Sequence, residues 1–362
     1  MRIALNGFTG ISAVAILALV AWSGWWWIAS GAQKAAVDGW MAERRAAGWV
    51  AETSETAAAG YPNRLDLTLT DLALADPAAG WAWAAPMVRI HQLSYRPDEA
   101  IVVFPPRQTL SVPGARLEAA SDHLRASASL RPTERLALHR AVIEGEGLSL
   151  IAVTTGQGAG QGAGQGGDAP DWTASAAKVV LAVREAEGAP PEDGAHAYDL
   201  SLTATEVIPP AALRALLGLG ASLPATAERL VIDVTASFAA PLDLDALEGG
   251  GPQITALRLR PSELVWGELG LRATGRVSVD EAGYPDGTLT LRAENWRAAL
   301  EAAISAGVVP GAAADTVRGA MEVVAFLAAK GEGLEAPLRF ADRRIYLGPV
   351  PIGAAPRIEF GR

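Results

Sequence analysis

The chain has 362 residues, of which 50% are hydrophobic and 19% charged, with a formal net charge of −10. This length and apolar content exclude a disordered chain, and the acidity without a basic block argues against nucleic acid as a partner. The absence of cysteine excludes disulfides, thiol nucleophiles and cysteine-ligated metal centres.

The N-terminal segment has the composition of a membrane span. No charged side chain lies between Arg2 and Lys34, and residues 8–28 (FTGISAVAILALVAWSGWWWI) match the roughly 20 apolar residues that cross a bilayer core. At its end lie three membrane-interface candidates, Trp25, Trp26 and Trp27, since tryptophan prefers the boundary between lipid and water. We therefore expect residues 1–32 to be an uncleaved transmembrane anchor. A cleaved signal peptide and a buried core helix are the alternatives.

Residues 33–58 are predicted to form a helical stalk, because Val37, Trp40 and Met41 share one helical face. The positive-inside rule does not favour export, because Arg2 alone precedes the span whereas Lys34, Arg44 and Arg45 follow it. A short N-terminal tail usually stays inside, and long domains cross a membrane regardless of nearby charge. We expect the body to lie outside the cytoplasm.

From residue 59 the apolar period changes from helical to two. Leu65, Leu67 and Leu69 alternate with polar residues, and the pattern resumes at Leu72 after a slip that predicts a bulge. Similar stretches recur to residue 352 with turn residues between them. The predicted fold class is α+β and mostly antiparallel β: one N-terminal transmembrane helix, then a β-rich extracytoplasmic domain over 59–362 with a long curved sheet, or two sheets, and a few packed helices.

Three segments in this domain, 209–220, 296–307 and 310–333, are predicted helices. The last has an apolar stripe at helical spacing, formed by Val317, Met321, Val324 and Leu327. Such a helix is expected to cover one face of the sheet. If that face is a groove, the helix becomes its plug or lid.

The tetrapeptide Ala-Gly-Tyr-Pro occurs twice, and a Leu-Thr-Leu follows each copy. Its characteristic residues are Gly60, Tyr61 and Pro62 in the first copy and Gly283, Tyr284 and Pro285 in the second. Glycine supplies unusual backbone angles and proline fixes φ, so each copy predicts a structural turn that begins a strand. A catalytic loop used twice and a divided binding site are the other interpretations, but no nucleophile or base lies nearby.

The remaining motifs carry no chemistry. Residues 162–167 match GxGxxG, yet they belong to a repetitive Gly/Gln tract at 156–170 without a βαβ unit, which predicts a flexible loop. Asp243 and Asp245 are interpreted as a solvated strand face rather than a cation site. The histidines stand apart in sequence, so we predict no catalytic, cofactor-binding or metal-binding residue and expect a non-enzyme.

The WWW anchor, DGWMAERRAAGW, GYPNRLDLTLTDLALADP and the Trp81-x-Trp83 pair together resemble a bacterial family of alphaproteobacterial type, known only as a domain of unknown function. The segment from LRLRPSELVWGELG to AGYPDGTLTLRAENW fits it as well. The layout is similar, more distantly, to the AsmA-like envelope proteins, which have one membrane helix, a curved sheet with a hydrophobic groove and a proposed role in lipid transport. This chain is shorter than those proteins.

The resemblance implies a single-pass protein of the bacterial inner membrane with its body in the periplasm. Its partners would be the lipid bilayer and a lipid or another hydrophobic ligand, in envelope maintenance. The alternative is a structural or assembly factor that binds envelope proteins through sheet edges or helices. An unrecognised hydrolase is the third hypothesis, and a buried histidine–carboxylate pair in a cleft would favour it.

Overall fold

The computed structural model describes residues 3–132, 135–154, 171–187, 196–216, 223–243, 246, 251–305, 311–327, 334–348 and 350–358. The predicted loop at 156–170 and Asp245 lie outside these residues. The helices are α1 (Ile3–Ala46), α2 (Ala211–Leu216), α3 (Trp296–Ser305) and α4 (Gly311–Leu327). The three helices predicted within the β-rich part are therefore present.

All other regular elements in the described residues are strands of one antiparallel sheet, which confirms the expected fold class and answers the question of one sheet or two. The strands are β1 (Val50–Glu52), β2 (Glu55–Ala59), β3 (Arg64–Asp76), β4 (Trp81–Leu93), β5 (Arg96–Val103), β6 (Arg107–Val112), β7 (Ala115–Ala120), β8 (His123–Leu130), β9 (Leu138–Thr154), β10 (Trp172–Glu185), β11 (His196–Val207), β12 (Ala227–Phe238), β13 (Ile254–Trp266), β14 (Leu269–Val279), β15 (Pro285–Glu294), β16 (Leu334–Ala341), β17 (Arg344–Leu347) and β18 (Val350–Ala354).

The sheet is a meander in which several short strands lie end to end. β1 and β2 both pair with β3, β5 and β6 both pair with β4, and β7 and β8 both pair with β9. β5 also pairs with β8, and β6 with β7. From β9 to β18 each strand pairs with the next along the chain. Sequential antiparallel pairing explains why turn residues recur at such short intervals in the sequence.

One line of irregular positions crosses the sheet from β3 to β11. It begins at Asp71, whose φ is 50°, and continues through the breaks between β5 and β6 and between β7 and β8. It then passes Gly147 (φ 59°) in β9 and reaches Glu206 (φ 50°) in β11. Interruptions of this kind bend strands and increase the local twist.

The predicted bulge at the Leu69–Leu72 slip takes a different form. The register of β3 on β4 is the same on both sides of Asp71, with Thr70 opposite Met87 and Leu72 opposite Ala85. The position opposite Asp71 is Pro86, which has no N–H to donate. At this point the alternation of inward and outward side chains shifts by one residue in both strands. Leu69 and Leu72 therefore point to the same side and enter the same buried cluster.

Helix α1 is continuous over 44 residues and is not followed by a free stalk. The helix ends where Gly48 takes a φ of 91° and its N–H donates to the carbonyl of Arg45. The chain then enters β1 and β2, so the second half of the 33–58 segment is edge strand. The alanines and glutamates of this segment favour helix, so the sequence alone does not predict these strands.

Candidate functional site

The two faces of the sheet differ sharply in polarity. On one face, eight apolar side chains stand directly opposite one another on successive strands and form what we call the apolar row: Leu67, Ile90, Val102, Ala126, Ile143, Leu181, Leu202 and Ile232. Flanking rows on the same face are also apolar, for example Val183, Leu200 and Val234. This face has the lining that an apolar ligand requires.

The apolar row is covered at its first end and open in its middle. Leu67 is 0% exposed, whereas Ile143 is 42% exposed and Leu181 and Ile232 are each 38% exposed. Within the described residues, then, the face is a core at one end and an open surface over β9, β10 and β12. Contiguous exposed apolar surface of this kind marks sites of ligand, membrane or protein binding.

Helix α1 provides the cover at the first end. Met41 is buried in one cluster with Leu67, Leu69, Leu72 and Val88, and Val37 packs against the same cluster. Gln33 reinforces this contact, because its Nε2 donates to Gln92 Oε1 at 3.1 Å. The helix therefore lies along β3 and β4 and closes the apolar face there.

Helices α3 and α4 cover the same face at the other end of the sheet. Val317 of α4 is 0% exposed and packs with Trp296 and Leu300 of α3 and with Leu334 of β16. Met321 packs against the edge of this cluster. Val324 and Leu327, the other members of the predicted stripe, have side chains outside the described part of the structure.

The opposite face carries a ladder of ion pairs. Oppositely charged side chains pair across adjacent strands at Arg125 and Glu144, Lys178 and Glu146, Arg184 and Asp199, Arg260 and Asp233, and Arg272 and Glu263. His91 and Asp66 make a polar contact across β4 and β3 on the same face. Charged side chains are rarely buried, so this face of the sheet is expected to be exposed to water. The sheet is thus amphipathic, with the apolar row on the face that faces away from the charges.

Asp199 is the most heavily bonded carboxylate of this ladder. Its Oδ1 accepts from Thr235 Oγ1 at 2.8 Å and from Arg260 Nη1 at 3.0 Å, and Arg184 Nη2 lies 3.1 Å from Oδ2. Burial alone would raise the pKa of Asp199, but the hydrogen bonds from Thr235 and Arg184 and the charge of Arg260 together hold that pKa below its usual value.

The substitution Asp199→Asn is expected to lower the free energy of unfolding by about 2 kcal/mol at pH 7, because charged hydrogen bonds of this kind contribute that order of energy. A depressed folded-state pKa stabilises the fold above the unfolded-state pKa, near 3.9, and this stabilisation is lost as the pH falls through the folded-state value. Urea unfolding at pH 7 and pH 3 would measure both effects. If Asp199→Asn lowered the free energy of unfolding by the same amount at both pH values, the stabilising role of the ionised Asp199 would be contradicted.

The nearest approach to a catalytic grouping is the Asp66–His91 pair. His91 Nδ1 lies 3.0 Å from Asp66 Oδ1, and Arg64 Nη2 lies 2.8 Å from Asp66 Oδ2. The pair stands on the charged face, directly across strands β3 and β4. Among the described residues no hydroxyl is hydrogen-bonded to His91, and no group of three or more metal-ligating side chains is present. The arrangement is a polar contact between two strands on the charged face.

The predicted membrane segment forms the first part of helix α1. Among the described residues, this is the one helix long and apolar enough to cross a membrane, over Val14–Ala46. Val14, Ile16, Leu17, Leu19 and Val20 are 58–68% exposed, so this stretch has no protein cover. Exposed aliphatic side chains in a continuous helix are typical of a lipid-facing segment.

A family model described as an uncharacterized protein conserved in bacteria (DUF2125) matches residues 25–356. The chain belongs to the DUF2125 family. The resemblance to an uncharacterised bacterial family is thereby confirmed, and the DUF2125 match includes every strand described above. Comparisons with curated proteins and with solved structures gave no match.

Both Gly-Tyr-Pro copies of this DUF2125 protein lie at turns. Gly60 has a φ of 100°, and its carbonyl accepts from the N–H of Arg64 at the start of β3. Gly283 has a φ of 84°, and Pro285 begins β15. Since β3 and β15 start from the same end of the meander, the two copies lie at the same end of the sheet.

The three tryptophans of the DUF2125 anchor have different surroundings. Trp25 is 43% exposed and Trp27 is 74% exposed, whereas Trp26 is 9% exposed. Trp26 instead packs edge to face on Tyr61, at a centroid distance of 5.5 Å. The structure thus brings together two groups that lie far apart in sequence, the tryptophans of the predicted anchor and the first Gly-Tyr-Pro turn.

Local sequence patterns in this DUF2125 chain do not distinguish Ile143, Leu181 and Ile232 from other strand residues. Each lies in a stretch identified as an alternating strand. Their alignment depends on the pairing register of β9, β10, β11 and β12, which alternation within one strand does not specify.

Proposed function

We propose that this protein is a membrane-anchored, periplasm-facing module that binds lipid or another apolar ligand on the open part of its apolar face, in maintenance of the bacterial envelope. The observation that carries the proposal is the exposure of Ile143, Leu181 and Ile232 within a row whose first member is fully buried. An acyl chain laid across these side chains would remove them from water, which is favourable in proportion to the apolar area covered. The distant sequence resemblance to AsmA-like envelope proteins implies the same use of a sheet.

The geometry favours a long, narrow ligand. The open part of the face lies between α1 and the α3–α4 pair, and its side chains are aliphatic. Small side chains, Ala100, Ala128 and Ala141, stand opposite one another in the neighbouring row and leave room above the backbone. The open part of the row itself, Ile143, Leu181, Leu202 and Ile232, is aliphatic, so we expect selectivity for chain length rather than for headgroup.

Native mass spectrometry of the full chain, purified from membranes in detergent, tests ligand binding. The variants are Ile143→Gln and Leu181→Gln, and the matched control is Ile101→Gln. Ile101 is 46% exposed but stands on the charged face, directly opposite His91. Lipid around α1 is common to all four proteins, so the comparison isolates the sheet.

Wild type and Ile101→Gln are expected to retain the same lipid, and Ile143→Gln and Leu181→Gln to lose half of it or more. Equal lipid in all four proteins would contradict ligand binding on this face. The alternative, an assembly factor that binds envelope proteins through sheet edges or helices, would then lead.

The location of the body has its own test. Protease added to spheroplasts is expected to digest residues after α1 and to leave a short N-terminal fragment. A body that resists protease until the membrane is permeabilised would place it in the cytoplasm and contradict the periplasmic assignment.

A further inference from the structure

The loop between β2 and β3, residues 60–63, is fastened to α1. Trp22 Nε1 donates to the carbonyl of Pro62 at 3.0 Å, and the hydroxyls of Ser23 and Tyr61 lie 2.8 Å apart. Trp26 Nε1 donates to the carbonyl of Arg64 at 2.7 Å. Trp22, Ser23 and Trp26 lie within about one turn of α1, so a short stretch of the helix makes all of these contacts. The loop is therefore held at one fixed height along the helix.

That height is within the apolar segment. Ser23 precedes Ile28, the last residue of the segment 8–28, by about 7–8 Å along the axis at 1.5 Å per residue. The first charged residue after the segment is Lys34. When α1 spans a bilayer, the contacts of Tyr61 and Pro62 thus fall about one helical turn inside the end of the apolar stretch, where aromatic rings are favoured.

A second loop lies beside the first at this end of the sheet. The N–H and Oγ of Ser94, in the β4–β5 turn, donate to the carbonyl of Asn63 at 3.0 and 2.9 Å. The next residue, Tyr95, is 62% exposed, and Tyr61 is 50% exposed. Two of the five tyrosines of the chain are thus exposed at this end of the sheet, in the loops next to the part of α1 that contains Trp22 and Trp26.

From these contacts we propose that the β2–β3 loop and the β4–β5 turn form a second membrane contact, in which Tyr61, Pro62 and Tyr95 lie in the interfacial zone of the bilayer beside α1. The proposal rests on the anchoring of α1 in the proposed function, but it does not depend on ligand binding by the sheet. The occupant of this surface is the lipid headgroup region of the membrane that α1 crosses.

The contact sets the position of the apolar face. β3 runs from the loop along α1, with Gln33 Nε2 donating to the carbonyl of Leu65 at 3.4 Å and Met41 packing on Leu67. The body is then fixed against the membrane with the loop end of β3 and β4 at the lipid surface.

The chain has no cysteine, so single-cysteine variants can be labelled without background. Tyr61→Cys and Tyr95→Cys probe the two loops, and Trp27→Cys probes the anchor. Ala78→Cys is the matched control, because Ala78 is an exposed residue of the turn at the other end of the β3–β4 hairpin. The full-length variants carry an environment-sensitive fluorophore in phosphatidylethanolamine–phosphatidylglycerol vesicles that contain a fraction of brominated phosphatidylcholine.

Quenching by the brominated lipid is expected to be at least threefold stronger at positions 27, 61 and 95 than at position 78. Tyr95→Cys leaves the contacts of Tyr61 intact, so a folding defect at position 61 does not decide the result. Strong quenching at position 27 with quenching at 61 and 95 no greater than at 78 would overturn the loop contact and leave the anchor standing. Weak quenching at position 27 as well would overturn the anchor together with the inference.

Discussion

Replacing Leu67 by alanine is expected to lower the free energy of unfolding by about 2–5 kcal/mol, whereas Leu181→Ala, in the same apolar row, is expected to cost about 1 kcal/mol. Leu67 is 0% exposed beneath α1, and its truncation leaves a cavity among Met41, Leu69 and Val88. Leu181 is 38% exposed, so its truncation removes apolar area without enclosing a void.

Both residues are leucines in paired antiparallel strands, so strand propensity contributes equally to the two losses of stability. The difference between the losses therefore reports how well the apolar face is covered at each position. Urea unfolding of the full chain in detergent, followed by tryptophan fluorescence, gives both values on one scale. Equal losses for Leu67→Ala and Leu181→Ala would mean that the middle of the face is as well covered as its end. The open binding surface would then not exist.

The second large effect is expected at Gly275 in β14, where Gly275→Ala should cost about 2–4 kcal/mol. Its φ is 146°, and a Cβ there would lie 2.3 Å from the backbone oxygen of Thr288 on β15. Backbone cannot withdraw as a flexible side chain can, so the two strands must separate. Gly287 repeats the situation from β15, with a Cβ position 2.4 Å from the oxygen of Arg276.

Gly353 supplies the control for this prediction. It lies in β18, and a Cβ at this position would meet nothing within 4 Å. Gly353→Ala is expected to change the free energy of unfolding by less than about 1 kcal/mol. If Gly275→Ala proved as harmless as Gly353→Ala in the same urea titration, the close approach of β14 and β15 would be wrong.

Much of the fold could be predicted from local patterns. The alternation of Leu65, Leu67 and Leu69 has period two in any antiparallel strand, and the stripe containing Val317 and Met321 has the period of a helix. The apolar segment at 8–28 needs no partner to be recognised. Each of these features depends on residues within a single helix or strand, so the local sequence is sufficient to predict it.

Features that depend on two elements were not predictable. Residues 50–52 and 55–59 become strands because β3 offers them an edge, against the helical preference of their alanines. The sequence predicts Trp26 as an interfacial residue and Tyr61 as a turn residue, each from its own neighbours. The contact between them joins positions far apart in sequence, so neither local pattern predicts it. The exposure of Ile143 and Leu181 depends on where the helices end, which no strand pattern encodes.

The most direct test of ligand binding by the apolar face is photo-crosslinking in living cells. A photoreactive amino acid is placed at Leu181 in the full chain, with the same residue at Ile101 on the charged face as the control. The account predicts lipid adducts at position 181, identified by mass spectrometry, and none above background at position 101. Equal adduct yields at the two positions, or protein adducts alone at position 181, would contradict it.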